Sequence, residues 1–269
     1  LVASGFLVAA SDGDFDSLEY HINVAPSDKL SYAPDELTDA FEARFPFLRF
    51  ETGISFELDT YIDTPDGIFN KHHIILRVRE DLLSRSGIIT VKFLAPSPEG
   101  FTGLNNYSKA EADITDGHAA YSVSYDIPYN TQKININNVR VQTVFDILKS
   151  KREDVYALLK PFFEGKQAGF IQTIVMRSVG FEAKYRKYPD THVDYAVWTP
   201  FPGKLNIVFS EFSFKGGVDE RPTLEAMYKS LKDDMKSVGV LLEGQGSKTE
   251  RTFKRSPGFN YLQVVPEHP

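Results

Sequence analysis

Along most of the chain, β-branched and aromatic residues alternate with polar ones between breaks of Gly, Pro and Asn, the period-two signature of strands. The pattern predicts strands over 18–24, 54–63, 73–80, 87–94, 106–114, 132–137, 170–179, 180–187, 191–198 and 205–215. Helical spacing occurs in three places. The first, 35–45, opens after Pro34 and carries Leu37, Phe41 and Phe45 at four-residue steps. The second starts with Val141, Val144, Phe145 and Leu148 and resumes after Ser150-Lys151-Arg152-Glu153, a capping-box pattern, with Val155, Leu158, Leu159 and Phe162. The third, 223–239, has Leu224, Met227, Tyr228, Leu231 and Met235 on one face; such stripes read as packing faces, not sites. Residues 117–138, with Tyr121, Tyr125, Tyr129 and several Asn, show no clear period and are expected to form a long polar excursion. No repeat, low-complexity tract or long linker divides the chain. The expected organisation is an N-terminal extension over 1–17, one β-rich domain over 18–243 with a helical insertion at about 141–165, and a Gly-, Lys- and Pro-rich tail over 244–269.

Residues i and i+2 share a strand face, so the alternation also sorts charge. Arg77 and Arg79 share one face while Leu76 and Val78 share the other. Lys109, Glu111 and Asp113 oppose Ala110 and Ala112; Thr90 and Lys92 lie together; Glu211 and Ser213 oppose Phe212 and Phe214. Near the start, Glu19, His21 and Asn23 alternate with Tyr20, Ile22 and Val24. An antiparallel sheet with one wet face would show the same pattern without any function. The recurrence of bases with acids at i+2, on enough strands to close a barrel, favours an interior holding both signs. Such an interior is costly unless a ligand completes it. The ligand class that needs both is a phosphate chain with a divalent cation: Arg and Lys meet phosphate oxygens, carboxylates hold Mg²⁺ or Mn²⁺.

Composition narrows the field. The chain has 269 residues and a net charge of −7, which excludes a generally basic nucleic-acid-binding surface. The absence of Cys removes disulfides, thiolate nucleophiles and Cys-ligated metals. No apolar run reaches the roughly 20 residues of a membrane-spanning helix. The expected compartment is cytoplasmic, with export as the alternative if the apolar, small-residue segment 1–10 is the remnant of a signal peptide.

The segment Glu57-Leu58-Asp59-Thr60-Tyr61-Ile62-Asp63-Thr64-Pro65-Asp66, followed by Leu76-Arg77-Val78-Arg79 and Thr90-Val91-Lys92, resembles the triphosphate tunnel metalloenzyme superfamily, that is, the CYTH domain and the related polyphosphate-polymerase domain. Lys109, Glu111 and Asp113 look like that family's next strand. Arg177, Lys184, Arg186, Asp194 and Glu211 follow in order with looser spacing. The resemblance spans roughly 18–215 and is specific over 57–113. It implies a mainly β (α+β) fold: a single antiparallel eight-stranded tunnel-like β-barrel with peripheral helices. It further implies phosphate ligands at Arg77, Arg79, Lys92, Lys109, Arg177, Lys184 and Arg186, and metal-facing acids at Glu19, Glu111, Asp113 and Glu211. The chemistry implied is Mg²⁺- or Mn²⁺-dependent attack on a phosphoryl group of a triphosphate, a polyphosphate or another phosphate compound. Catalytic residues and oligomeric state are not implied.

This chain departs from the family at two places. An E-x-E-x-K first strand is replaced by Glu19-Tyr20-His21-Ile22-Asn23, and a last-strand E-x-E by Glu211-Phe212-Ser213. His and Asn make a weaker magnesium site than two carboxylates, because Mg²⁺ prefers hard anionic oxygen. Two alternatives therefore stand beside a hydrolase: a catalytically silent anion-binding module, and an exported β-sandwich or lipocalin-like carrier whose Arg77 and Lys92 would face outward. His72-His73 read as turn and surface residues, and no nucleophile elbow or nucleotide-binding glycine loop is present. The basic cluster Ser247–Arg255 reads as a solvated tail, with reach to a tunnel mouth as the alternative.

Overall fold

The computed structural model describes residues 15, 17–26, 34–164, 169–203 and 207–260, with backbone alone at 34–37 and 52–53. The segment 1–10 and nearly all of the 1–17 extension lie outside the described residues. The strands are β1 (Ser17–Val24), β2 (Leu48–Asp63), β3 (Ile74–Asp81), β4 (Ser86–Ala95), β5 (Lys109–Thr115), β6 (His118–Asn130), β7 (Ile171–Gln172), β8 (Val175–Tyr185), β9 (Tyr188–Phe201) and β10 (Phe209–Gly216). The helices are α1 (Pro34–Arg44), α2 (Ile68–Lys71), α3 (Val141–Lys151), α4 (Glu153–Leu159), α5 (Arg221–Ser237) and α6 (Lys248–Arg255). No helix among the described residues is long and apolar enough to cross a membrane.

Hydrogen bonding runs β3-β4-β6-β5-β1-β10-β9-β8-β2, and β2 returns to β3, so nine strands close a barrel and β7 flanks β2. This corrects the expected eight-stranded, purely antiparallel barrel. The ninth strand is β6, the stretch expected to be a polar excursion. Its alternation is masked because Ser122, Ser124 and Asp126 face one way while Tyr125 and Tyr129 are buried with Val123 and Ile127 on the other. A closed ring with an odd number of strands cannot alternate direction throughout, so one neighbouring pair must be parallel. That pair is β1 and β5, with Glu19 opposite Asp113. The segment expected as a strand over 132–137 is instead a short 3₁₀ turn and loop, Thr131–Lys133 and beyond.

The apolar faces point outward and the helices cover them. On one side Tyr20, Ile22, Phe212 and Phe214 pack with Leu224, Met227, Leu231 and Met235 of α5 and with Phe41 and Phe45 of α1. On the other, Leu76, Val78, Ile89, Val91 and Ile127 meet Val144 and Leu148 of α3 and Val155 and Leu159 of α4. Each such side chain removed from water contributes roughly 1.5–3 kcal/mol, so the stripes that predicted the helices are what attach them. With the oil outside, the polar faces are left to line the interior.

Candidate functional site

The register assembles that interior. Asp59 opposes Arg79 and Tyr61 opposes Arg77 across β2 and β3; Arg77 opposes Thr90 on β4; Lys92 and Lys109 both oppose Ser124 of β6; Asn23 opposes Glu211 across β1 and β10. Arg77 and Lys92 therefore face inward, opposite to the orientation the carrier alternative requires.

Arg77, Arg79, Lys92 and Lys109 each meet a carboxylate. Arg79 donates from Nε to Asp59 at 2.9 Å and from its terminal nitrogens to Asp59 at 3.3 Å and Glu57 at 3.1 Å. Asp59 is fully buried, so this fork is what makes its burial tolerable. Arg77 is held less tightly: a terminal nitrogen donates to Thr90 Oγ1 at 3.2 Å, and its buried Nε, 3.7 Å from Asp59, has no hydrogen-bond partner. Thr90 in turn donates to Asp126 at 2.7 Å. Lys92 Nζ lies 2.8 Å from Asp113 Oδ2, and Lys109 Nζ lies 3.1 Å from Glu111. The wall is thus a series of ion pairs instead of bare cations, which is how an acidic chain can line a barrel with bases.

Asp113 Oδ1 faces His21 Nε2 at 3.6 Å, and Glu19 Oε1 lies 3.9 Å from the same nitrogen. One ligand atom from each of Glu19, His21 and Asp113 falls within 4.8 Å of the others. Burial works to lower the His21 pKa, but the facing Asp113 carboxylate, with Glu211 and Glu19, raises it above the ordinary value. Burial works to raise Asp113, but Lys92 and His21 pull it far below the usual carboxylate range.

One end of the barrel is filled by Met176, Trp198 and Phe209, and α6 lies against it. Ser247 caps that helix by accepting from the Glu250 N–H at 3.2 Å. Its inward face delivers Lys248 Nζ to Glu211 Oε1 at 2.7 Å and Arg251 to Asn23 Oδ1 at 2.8 Å. Thr249 Oγ1 donates to Tyr61 Oη at 3.3 Å. The basic cluster of the tail thus reaches the barrel. Burial works to raise Glu211, yet Lys248 and His21 hold it below the ordinary Glu range.

Of the residues singled out for phosphate, Arg77, Arg79, Lys92 and Lys109 share the inner wall, and Lys184 occupies an inward register near the β8–β9 turn, 3.1 Å from Glu51. Arg177 and Arg186 are not brought to them. Arg177 shares the parity of Val179 and Phe181 on the helix-covered side, donates from Nε to Thr199 Oγ1 at 3.1 Å and stacks 6.0 Å from Phe201. Arg186 lies beyond the end of β8, more than half exposed, 3.6 Å from Glu42 of α1. Of the acids singled out for metal, Glu19 and Asp113 converge with His21, Glu111 pairs with Lys109, and Glu211 pairs with Lys248. Sequence reasoning does not single out Asp59 for the site; it weighs His21 only as a weaker ligand, and Lys248 and Arg251 only through the alternative that the basic tail reaches a tunnel mouth. The i+3 spacing of Lys248 and Arg251 in a capped helix was the available signal for the last two. The Asp63-Thr64-Pro65-Asp66 motif plays a different part: Asp63 accepts from the N–H groups of Thr64, Phe69 and Asn70 at 2.7–2.9 Å and organises α2. His72 and His73 form the turn after α2, with His73 at φ 58°.

No protein-family model and no curated protein sequence matches the chain. Solved structures do. The candidate adenylyl cyclase HpAC1 from Hippeastrum, which reveals a dominant triphosphatase activity, is similar over 94% of this chain and 100% of its own, at 14% identity and a TM-score of 0.53. A candidate adenylate cyclase from Bacillus halodurans is similar over 89% of this chain and 98% of its own, at 13% identity and a TM-score of 0.50. At such identities the likeness is one of fold: this chain shares the closed barrel of these structures, in keeping with the fold that the resemblance in its sequence implies.

Proposed function

We propose that the barrel binds the phosphate chain of a triphosphate, polyphosphate or related organic phosphate with a divalent cation and hydrolyses it. The observation that carries this reading is the placement of Arg77, Arg79, Lys92 and Lys109 on one inner wall, each beside a carboxylate. Phosphate oxygens entering the barrel would take the lysines, and Asp113 and Glu111 would be released toward a cation, so the ion pairs act as stand-ins for both parts of the ligand. Arg77, with an unpartnered buried Nε, is the base with most to gain. Arg79 is committed to Asp59 and orients the wall. A bound cation would supply charge neutralisation and orientation of the attacking water, and positioning by the wall would do the rest. The unit responsible is the barrel of 18–243 with its helical cover at 141–165, to which 244–269 contributes α6. The triphosphatase activity of HpAC1 agrees with this assignment.

A second reading, a silent anion-binding module, is favoured by one feature: Lys248 occupies Glu211, and Ser213 stands where the resemblance expects a second carboxylate. Phosphate release from tripolyphosphate with Mg²⁺ or Mn²⁺, measured beside calorimetric binding, separates the two. Turnover supports the hydrolase, binding without turnover supports the module, and absence of binding at low salt refutes both.

A further inference from the structure

We propose that Glu19, His21 and Asp113 form a transition-metal site with His21 Nε2 as its nitrogen ligand, so that the barrel selects Mn²⁺, Co²⁺ or Zn²⁺ over Mg²⁺. His21 is nine-tenths buried, yet its polar contacts are loose: Nε2 makes ion pairs with Asp113 and Glu19, neither at hydrogen-bonding distance. Nδ1 has no hydrogen-bond partner, and the distances from Nε2 to the two carboxylates are 3.6 and 3.9 Å. They are close to the separation two ligands acquire on one ion: bonds of roughly 2.0–2.2 Å at a tetrahedral angle place ligand atoms about 3.4 Å apart. Asp113 is divided to suit, with Oδ2 on Lys92 and Oδ1 left toward His21. An imidazole with two carboxylates is a donor set for first-row transition ions, whereas Mg²⁺ favours oxygen and keeps much of its water. Without a phosphate ligand, the further carboxylates that would make the site all-oxygen are engaged, Glu211 by Lys248 and Glu111 by Lys109, which leaves His21 as the third donor beside Glu19 and Asp113.

This inference deepens the proposed function, and it is tested without phosphate. Metal-free full-length protein is titrated with Co²⁺ alone and the visible absorption of the bound ion is followed, with Mg²⁺ as competitor. The expected result is saturable binding that a large excess of Mg²⁺ does not displace. His21→Gln and, separately, Glu19→Gln should each weaken Co²⁺ by at least about tenfold, the scale on which even indirect partners of a metal act. Thermal melting verifies that each variant is folded, and Glu19, with a quarter of its side chain exposed, is the safer substitution. His192→Gln is the control, because Glu51, Glu182 and His192 make another such cluster near the β8–β9 turn. Displacement by equal Mg²⁺, wild-type affinity in folded His21→Gln, or loss of the signal in His192→Gln would each overturn the proposal. Failure of tripolyphosphate to bind would sink the proposed function and leave this site standing.

Discussion

The Lys248–Glu211 pair decides whether α6 is a working part of the barrel. Its atoms lie 2.7 Å apart, with 7% of the Glu211 side chain and 28% of the Lys248 side chain exposed. At an effective dielectric of about 20 that separation corresponds to about 6 kcal/mol of attraction, offset by the desolvation of two ions. Removing one partner of a buried pair typically costs about 3–5 kcal/mol, because the other charge is left alone. His21 and Arg251 also favour the Glu211 carboxylate, so the lower end applies, and Lys248→Met should lose about 3 kcal/mol. Urea denaturation at pH 7 of wild type, Lys248→Met, Glu211→Gln and the double variant gives the coupling energy directly. The pH dependence has a definite sign. The folded-state pKa of Glu211 is lowered from 4.5, so its contribution is fully present above about that pH and is lost as pH falls through the folded value. The gap between wild type and Lys248→Met should therefore narrow in acid. A coupling below about 0.5 kcal/mol at pH 7, or a gap that widens in acid, would show that α6 is held by packing alone.

The two arginines should separate by function. Arg79→Met strands the fully buried Asp59 carboxylate beside Arg77 alone and should cost about 3 kcal/mol in urea unfolding, whereas Arg77→Met leaves the Arg79 fork intact and should cost under about 1 kcal/mol. Tripolyphosphate affinity by calorimetry should nevertheless fall about tenfold in Arg77→Met, the size of one charge-assisted contact, and fall further with added salt. Unchanged affinity would remove Arg77 from the ligand wall. Asp63→Ala should cost about 3 kcal/mol, since three backbone N–H groups near α2 lose their acceptor; a loss under about 1 kcal/mol would mean that water replaces it. Gly87→Ala drives a Cβ into the Tyr129 ring and should destabilise by about 1–3 kcal/mol in thermal or urea melts, with a neutral result showing that the ring can move aside.

Period-two alternation is local, so Arg77 with Arg79, Lys92 with Thr90, and Lys109 with Glu111 and Asp113 could be grouped by face from the chain alone. The helix stripes were equally legible, because Leu224, Met227, Leu231 and Met235 bury on one side of α5 as their spacing requires. What alternation cannot state is which face becomes the inside. That followed from closure of the ring, which turned the apolar faces toward α1, α3, α4 and α5 and left the charges to one another. Strand number was hidden where tyrosine serves as an outward core residue in β6, and with nine strands the parallel β1–β5 pair became a topological necessity. Arg177 matched in order but not in parity, a distinction that depends on the register of β8 against β2 and β9. The partners of His21 and Glu211 come from β5 and α6, so their chemistry depends on pairing between residues far apart in the chain. The sequence by itself determined which side chains travel together, because the backbone repeat is short. Only the tertiary structure decided which of them meet and which carboxylates remain available to a metal, because ion pairs are set by distances that closure of the barrel creates.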